Sequence, residues 1–576
     1  MPTPMPTPHP TLTRRFRRVG IALTLAGGAA ALHAQTAQGG NPLDQLPTPA
    51  PVPAARAPMP QATARPPPGA ADGADKLALE VVPARFDIEG VKALPFSTVA
   101  ALFAPTAGQK VTVARLVEIA GQATALYRRA GHPLSFVYLP DQSFDGGVVR
   151  VIAVEGYIGS VRIEGDAGPA EARLRDIAGR LLAERPLRQS TFDRITQLLL
   201  RLPGVTVAAT ASMPATTDGA TVLVLKVSRQ PYNVSLGADL RQPTARAVLS
   251  GVLNDPFVPG GQLSASTLLG DPSREKLLTL GYTQLVGTDG LQLKAQATTY
   301  RGYPDKKLDN GSPLERFNTN RRVELSASYP LLLDARSSLM LNGGFYGVDN
   351  ADDYRVPANG ARLTDDTRVR ALFAQLAYLA VQADRRRSAG LLRAQGFDGA
   401  GASAELRSNV AGLSGPGTAR LAFTRLAVDA SQRDRFANRW GTGVSFGAQY
   451  SPQSLASSER ISFGGPKFGR GYAAGDAAGD SGWGVGFEVN RMFRFGTTWL
   501  KQVEPYVLLE QARVSTDLGR PMPRTLRSVA VGFRLSDAKH YSLDLAIGKP
   551  TGDAAIDNPA RKMRVSLLLS YQLAAR

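Results

Sequence analysis

The segment WGTGVSFGAQY, residues 440–450, decides how the C-terminal part of this chain folds. Trp440, Val444 and Phe446 alternate with glycine and serine, so an extended strand here has one apolar face and one small or polar face. The segment LQLKAQATTY, residues 291–300, has the same period of two. Alternation over about ten residues is typical of transmembrane β-barrel strands, which face lipid on one side and an aqueous lumen on the other.

This period of two begins near residue 230 and continues to Leu573. It predicts an all-β, 16-stranded transmembrane β-barrel over residues 230–576, with both barrel ends on one side of the membrane. A soluble β-sandwich is the alternative, but a sandwich seldom sustains so many long alternating strands. The predicted strands are residues 232–242, 245–253, 262–269, 275–285, 291–301, 319–330, 336–347, 366–381, 388–398, 416–430, 438–450, 483–494, 503–514, 524–535, 541–548 and 564–573.

A different pattern, one strand followed by two helices and two strands, occurs twice in tandem before the barrel. Apolar residues recur at three- and four-residue spacing over residues 112–130, which predicts an amphipathic helix. A tandem repeat of this length indicates two α+β domains, residues 81–157 and 158–229. The first has predicted strands 85–91, 135–140 and 148–157 and helices 95–104 and 112–130; the second has strands 158–165, 205–213 and 220–229 and helices 169–184 and 190–202.

The N-terminus has the pattern of an export signal. Four arginines between positions 14 and 18 precede an apolar run over residues 19–32, and small residues favour cleavage after Ala34. We therefore predict a signal peptide over residues 1–34; a buried N-terminal helix is the alternative. Residues 35–80 are predicted to be a proline-rich linker, because ten prolines between residues 41 and 70 favour an extended chain without a core.

The composition excludes several classes of function. The 576 residues include no cysteine, so disulfides, cysteine metal sites and a cysteine nucleophile are ruled out. The segment GVSFG, residues 443–447, fits the G-x-S-x-G motif, but it lies within a predicted strand, whereas that motif needs a strand-to-helix turn. We therefore predict no enzyme activity, no cofactor and no metal site. The net charge of +19 fits anionic lipid or an acidic export substrate better than nucleic acid.

One predicted connection, residues 451–482, is much longer than its neighbouring strands and contains the sequence Gly469-Arg470-Gly471-Tyr472. An arginine between two glycines allows a tight backbone turn to place a guanidinium group deep inside a pore. A mobile surface loop is the alternative interpretation.

Taken in this order, the segments resemble two-partner-secretion outer-membrane transporters of the TpsB type, the ShlB/FhaC/HecB haemolysin secretion/activation family. The resemblance covers residues 81–576. It implies two periplasmic POTRA domains at 81–157 and 158–229, a barrel in the bacterial outer membrane with outer-membrane lipid and lipopolysaccharide as partners, and a loop at 451–482 that folds into the lumen. The implied function is a type V secretion pore for a large TpsA-type exoprotein. An assembly factor of the BamA type and a POTRA-bearing adhesin or scaffold remain alternatives.

The resemblance also implies roles for individual residues. The loop arginine would pair with an acid on an inner barrel strand, and the matching stretch YVLLEQA, residues 506–512, supplies Glu510. Substrate would add a strand to an exposed sheet edge, with Phe136, Val137, Tyr138, Val205 and Val207 as candidate contacts. The barrel assembly machinery would read Tyr571 near the C-terminus. A plug helix would be limited to Asn41–Leu46.

Overall fold

The computed structural model describes residues 62–63, 74–240, 245–271, 273–304, 315–357, 360–516, 524–555 and 558–574. The predicted signal peptide and the predicted plug segment at 41–46 lie outside the described residues. Of the predicted linker, only residues 62–63 and 74–80 are described.

The first α+β unit is a three-stranded sheet with two helices on one face. Its elements are β1 (Arg85–Glu89), α1 (Phe96–Phe103), α2 (Val113–Arg129), β2 (Phe136–Tyr138) and β3 (Val148–Val154). The sheet order is β1-β3-β2, with β1 parallel and β2 antiparallel to β3, and a short ladder joins residues 80–81 to 111–112. Helix α2 buries Leu116, Ala123 and Tyr127 against the sheet, because its apolar residues share one face.

The second unit repeats this arrangement. It comprises β4 (Tyr157–Gly165), α3 (Glu171–Gly179), a 3-10 turn (Arg180–Ala183), α4 (Gln189–Leu199), β5 (Val205–Ser212) and β6 (Ala220–Arg229). The sheet order is β5-β6-β4, and the backbone of residues 62–63 pairs in parallel with Ala211 and Ser212 at the outer edge of β5.

Sixteen antiparallel strands then form a closed barrel, which confirms the predicted fold class. The barrel closes where β7 pairs with β22, so that Leu236 lies opposite Tyr571. The strands are β7 (Tyr232–Asp239), β8 (Arg246–Asn254), β9 (Gly261–Leu269), β10 (Glu275–Val286), β11 (Leu291–Gly302), β12 (Glu315–Leu333), β13 (Ser337–Val356), β14 (Ala361–Val381), β15 (Arg385–Gly396), β16 (Thr424–Arg435), β17 (Trp440–Tyr450), β18 (Ser481–Arg491), β19 (Gln502–Ser515), β20 (Thr525–Ser536), β21 (Tyr541–Pro550) and β22 (Arg564–Ala574).

The predicted strand at 416–430 was misplaced. Strand β16 begins only at Thr424, and the residues before it belong to the preceding loop. Phe423 explains the difference, because its buried ring packs among Tyr346, Val348 and Leu455 inside the barrel instead of facing lipid. An alternating pattern by itself does not distinguish a lipid-facing aromatic residue from one buried under a loop.

Three strands are much longer than a membrane requires. Strands β12, β13 and β14 have 19, 20 and 21 residues, whereas about 10 residues cross the bilayer. Their extracellular ends form a sheet above the membrane that the hairpin strands Ser403–Ser408 and Gly415–Pro416 extend. This sheet forms one wall beside the long loop.

The second α+β unit docks directly on the periplasmic turns of the barrel. Leu285 and Leu333 of the barrel belong to its hydrophobic core. Arg173 donates to the Leu285 carbonyl at 3.3 Å, and Arg194 donates to the Pro330 carbonyl at 3.3 Å. No helix among the described residues is both long and apolar enough to cross a membrane.

Candidate functional site: the loop across the barrel lumen

The loop between β17 and β18 spans residues 451–480 and enters the barrel. It contains a small hairpin of Ile461–Phe463 and Ala477–Gly479. Its apolar side chains are almost fully buried: Leu455 and Phe463 are 0 % exposed, and Tyr472 is 2 % exposed. A surface loop would not bury these groups, so the alternative of a mobile surface loop is wrong for this segment.

At the tip of this loop, Arg470 contacts two strands of the barrel wall. Its backbone N–H donates to Oε2 of Glu510 on β19 at 2.7 Å. Its guanidinium Nη2 donates to Oδ2 of Asp544 on β21 at 3.1 Å. The arginine and aspartate side chains are 10 % and 17 % exposed, so this ion pair is largely shielded from solvent. The tip is therefore held by one main-chain bond and one ion pair.

The predicted ion pair between Arg470 and Glu510 is thus corrected. Glu510 does face the lumen, but its carboxylate already accepts from the Arg470 backbone and from the Ser528 hydroxyl at 2.8 Å. Because Glu510 lies against the loop backbone, the long arginine side chain extends past it and reaches Asp544. Two carboxylates share the loop tip, and each holds a different group of the same residue.

Glycine at position 471 is required by the close approach of the loop to β21. A Cβ atom there would lie 2.5 Å from the Pro550 nitrogen, and one at Gly548 would lie 2.6 Å from the Arg470 carbonyl carbon. The next residue, Tyr472, donates its hydroxyl to the Asp553 carbonyl at 2.9 Å and accepts from the Gly552 N–H at 3.1 Å. The Gly-Arg-Gly-Tyr sequence therefore fits the loop backbone closely against the wall.

A network of charges surrounds the ion pair at the tip. The Tyr506 hydroxyl donates to Asp544 Oδ1 at 2.6 Å, and the Arg534 guanidinium stacks 4.2 Å from the Tyr506 ring centroid. Arg534 also donates to Glu488 at 2.7 Å and to Glu504 at 2.8 Å. The contacts of Tyr506 and Arg534 orient Asp544 toward Arg470.

Within the described ranges, no group of three or more acidic or histidine side chains is arranged to hold a metal ion.

The base of the loop has a second contact with the wall, which the sequence did not reveal. Glu459 and Arg425 of β16 are 0 % and 1 % exposed, with Oε2 and Nη2 separated by 3.3 Å. The Tyr346 hydroxyl of β13 donates to the same carboxylate at 2.7 Å. Two residues earlier, Ser457 donates to Asp352 of β13 at 3.1 Å. The loop is therefore attached at its base to β13 and β16 and at its tip to β19 and β21.

The predicted substrate contacts on β2 are not at a free sheet edge. Phe136, Val137 and Tyr138 lie on an edge strand, but the Thr124 hydroxyl of α2 accepts from the Val137 N–H at 2.8 Å and donates to its carbonyl at 3.2 Å. Val137 is also buried, and burial raises the pKa of the neighbouring Tyr138 phenol. An incoming strand would have to displace the Thr124 hydroxyl, so this edge is less open than β5, and substrate contact at Phe136, Val137 and Tyr138 stays a prediction.

The other two predicted contacts lie on an edge that does accept a strand. Val205 and Val207 are on β5, where the backbone of residues 62–63 already pairs at the far end. Val207 itself is 1 % exposed and packs in the core, so only its backbone lies along the edge.

Two family models match the chain. Residues 81–156 match the ShlB-type POTRA domain, and residues 263–535 match the haemolysin secretion/activation protein ShlB/FhaC/HecB. The barrel of this chain therefore resembles the ShlB/FhaC/HecB family. The predicted resemblance to TpsB-type transporters of two-partner secretion is confirmed, and with it the location in the outer membrane with POTRA sequence in the periplasm.

Individual relatives agree with this resemblance. The outer membrane transporter CdiB of Escherichia coli is 26% identical over 192 residues, or 31% of this chain, and the match spans about a third (32%) of that relative's length. The solved structure of CdiB from Escherichia coli superposes with a TM-score of 0.63 at 18% identity, covering 96% of this chain and 100% of that one. The solved structure of CdiB from Acinetobacter baumannii superposes with a TM-score of 0.55 at 15% identity, covering 94% of this chain and 96% of that one. The solved structure of BamA from Haemophilus ducreyi lacking POTRA domains 1–3 superposes with a TM-score of 0.52 at 14% identity, covering 86% of this chain and 100% of that one.

Proposed function

We propose that this protein is the pore of a two-partner secretion system, which recognises a large unfolded exoprotein with two periplasmic POTRA domains, residues 81–157 and 158–229, and passes it through the barrel. The loop at 451–480 carries this proposal. It fills a lumen whose wall is polar, with Asn320, Gln375 and Asn490 facing inward. Such side chains offer hydrogen bonds to the backbone of an unfolded chain. A plug whose tip is held to the wall by a few polar contacts is suited to opening.

The edge of β5 is where we propose that the exoprotein first binds. Adding a strand to an exposed sheet edge supplies main-chain hydrogen bonds without requiring a particular side-chain sequence. The pairing of residues 62–63 with Ala211 and Ser212 supports this site, because a strand already adds to the C-terminal end of the same edge, which therefore has room there for one. The β2 edge has no such room, since Thr124 occupies it.

This difference between the two edges gives a direct test. A photo-reactive amino acid at Thr206 of β5 should cross-link to the exoprotein during secretion, whereas the same group at Tyr138 of β2 should not. Both variants should reach the outer membrane at wild-type levels, which immunoblotting checks. Cross-links from position 138 that match those from position 206 would contradict strand addition at β5.

The direction of transport needs a source of energy outside the pore. The sequence contains no P-loop motif for nucleotide binding. We therefore propose that folding of the exoprotein beyond the membrane draws the chain outward.

Deleting the gene in its own host tests the function as a whole. Mass spectrometry of the culture supernatant should then show the loss of one large secreted protein, which wild-type protein restores on complementation. The outer-membrane proteome should be unchanged. A broad loss of outer-membrane proteins would instead indicate an assembly factor of the BamA type. An unchanged supernatant would contradict secretion.

A further inference from the structure

A belt of basic side chains surrounds part of the barrel at its extracellular rim. Strands β10, β11, β12, β14 and β15 each place at least one lysine or arginine on the lipid-facing side, close to the extracellular end. The exposed members are Lys276, Arg301, Arg321, Arg368 and Arg393, which we call the outer belt. Arg513, Arg527 and Lys549 form a smaller exposed group on β19, β20 and β21.

The orientation of the outer belt follows from the alternation along each strand. In β10, Lys276 shares its face with Leu278 and Leu280, which are 44 % and 47 % exposed, while the intervening Leu277 is buried. In β12, Arg321 likewise shares its face with the exposed Val323 and Leu325. Because these apolar neighbours face lipid, the cationic side chains also point away from the lumen.

The height of the outer belt places it at the membrane boundary. Lys276 is ten residues from Val286, the periplasmic end of the same strand. Ten residues extend about 34 Å along a strand, or roughly 26 Å along the membrane normal at a tilt of about 40°. The lipid-facing apolar band of such barrels is about 25 Å tall. Lys276 and Arg301, each ten residues from the periplasmic end of its strand, therefore lie level with the head groups of the outer leaflet. Arg321 and Arg368 lie 12 and 13 residues from the periplasmic ends of their strands and Arg393 lies 8, so the outer belt straddles this boundary.

The charges of the outer belt are not balanced by the protein. Lys276 lies directly opposite Arg301 in the register of β10 and β11, and like charges in this position repel each other. Among the described residues, no carboxylate lies within salt-bridge distance of any of the five outer-belt cations. Arg301 stacks on the Phe317 ring at 5.1 Å. The exposed Asp349 lies directly opposite both Arg321 and Arg368 in the register, but its carboxylate is paired with Arg370 at 2.8 Å, so one shared acid faces three arginines.

Outward arginines at the periplasmic rim differ, because protein groups satisfy them. Arg387 of β15 donates to Gln432 at 2.9 Å. Arg491 of β18 stacks between Trp440 and Phe493, at 5.4 Å and 5.2 Å from their ring centroids. Among the described residues, Arg301, stacked on Phe317, is the outer-belt cation with a comparable contact. The five cations of the outer belt therefore depend more on groups outside the protein, and anions of the surrounding leaflet are the nearest source.

We infer that the outer belt binds the phosphate groups of lipopolysaccharide in the outer leaflet. A phosphate carries the negative charge that the five cations lack, and arginine binds it through paired N–H donors. Phosphates beside Lys276 and Arg301 would convert a repulsive pair into a bridged one. This binding anchors the wall formed by β10 to β15, and it is independent of whether the barrel secretes an exoprotein.

Purified full-length protein and purified lipopolysaccharide test the inference. Replacing three of the cations (Lys276→Gln, Arg301→Gln and Arg321→Gln) should weaken binding by about fivefold for each charge removed. The matched control, Arg387→Gln with Arg491→Gln, removes outward arginines from the periplasmic rim and should bind like the wild type. Heat-dependent gel mobility verifies that each barrel is folded.

Three results would overturn the inference. The triple variant could bind lipopolysaccharide like the wild type, or the control could lose as much affinity as the triple variant. The wild-type protein, which needs no variant to fold, could bind chemically dephosphorylated lipopolysaccharide as tightly as the intact form. Binding to phosphatidylglycerol vesicles is measured in the same way. If the triple variant loses as much affinity for these vesicles as for lipopolysaccharide, the outer belt binds anionic lipid in general.

Discussion

The two attachments of the loop at 451–480 differ in the way they are built. At the base, Glu459 and Arg425 are 0 % and 1 % exposed, and the Tyr346 hydroxyl and an apolar cluster surround them. At the tip, Arg470 and Asp544 are 10 % and 17 % exposed, and only one guanidinium nitrogen reaches an acid. Buried atoms without a hydrogen-bond partner occur at both attachments, Nε and Nη1 of Arg470 at the tip and Oε1 of Glu459 at the base, so the two differ in burial and packing. We infer that the base is a permanent anchor and that the tip is a latch.

The physical reason is the cost of separating each pair. Opening the base would leave two charges buried without partners, which is strongly unfavourable. Opening the tip exposes its groups to a lumen lined with polar side chains, where water and other acids replace the lost partner. A loop anchored at one end and latched at the other can swing without leaving the barrel.

The largest effect should follow from breaking the base. Glu459→Ala leaves Arg425 buried without its carboxylate, and the free energy of unfolding should fall by about 3–5 kcal/mol. Urea titration of the purified barrel, followed by gel mobility, measures this loss. The matched control is Glu405→Ala, whose 3.6 Å pair with Arg407 is 58 % exposed and whose removal should change stability by less than about 0.5 kcal/mol. Equal stability of the two variants would remove the distinction between base and tip.

A smaller loss of stability, but a larger change in gating, should follow from breaking the tip. Arg470→Ala and Asp544→Ala should each cost about 1.5–3 kcal/mol, and the double variant should be little worse than either. Each should raise ion conductance in planar bilayers, because the released tip no longer fills the lumen. Strictly additive losses in the double variant would mean that the two residues act separately.

The smallest effect should come from crowding the latch without removing a charge. Gly471→Ala places a methyl group 2.5 Å from the Pro550 nitrogen, so the tip must shift, at a cost of about 1–2 kcal/mol. Conductance should rise modestly. Gly496→Ala is the control, because a Cβ there meets nothing within 4 Å. A control that conducts like Gly471→Ala would mean that the effect does not arise from the loop–wall contact.

The sequence predicted the scaffold better than these contacts. The period of two predicted the sixteen barrel strands, with one of them misplaced, because each strand carries its own inward and outward faces. Glu510 was predicted to lie on an inner strand, but alternation does not say which inward acid, Glu510 or Asp544, meets the side chain of a loop residue 40 or 74 residues earlier in the chain. The Glu459–Arg425 pair and the Thr124 hydroxyl on β2 were missed for the same reason. Each joins elements whose relative position only the folded structure defines.

The most direct test of a moving latch is to lock it. The chain has no cysteine, so a single engineered disulfide is unambiguous. A Cβ at Gly484 of β18 would lie 2.9 Å from the Phe468 Cβ, so a shift of about 1 Å gives the spacing of about 3.8 Å found in a disulfide. In cells that carry Phe468→Cys with Gly484→Cys, secretion of the exoprotein should stop when the disulfide forms and return on reduction, while each single variant secretes normally. Undiminished secretion with the disulfide fully formed would contradict the account, because the exoprotein would then pass with the loop fixed in the lumen.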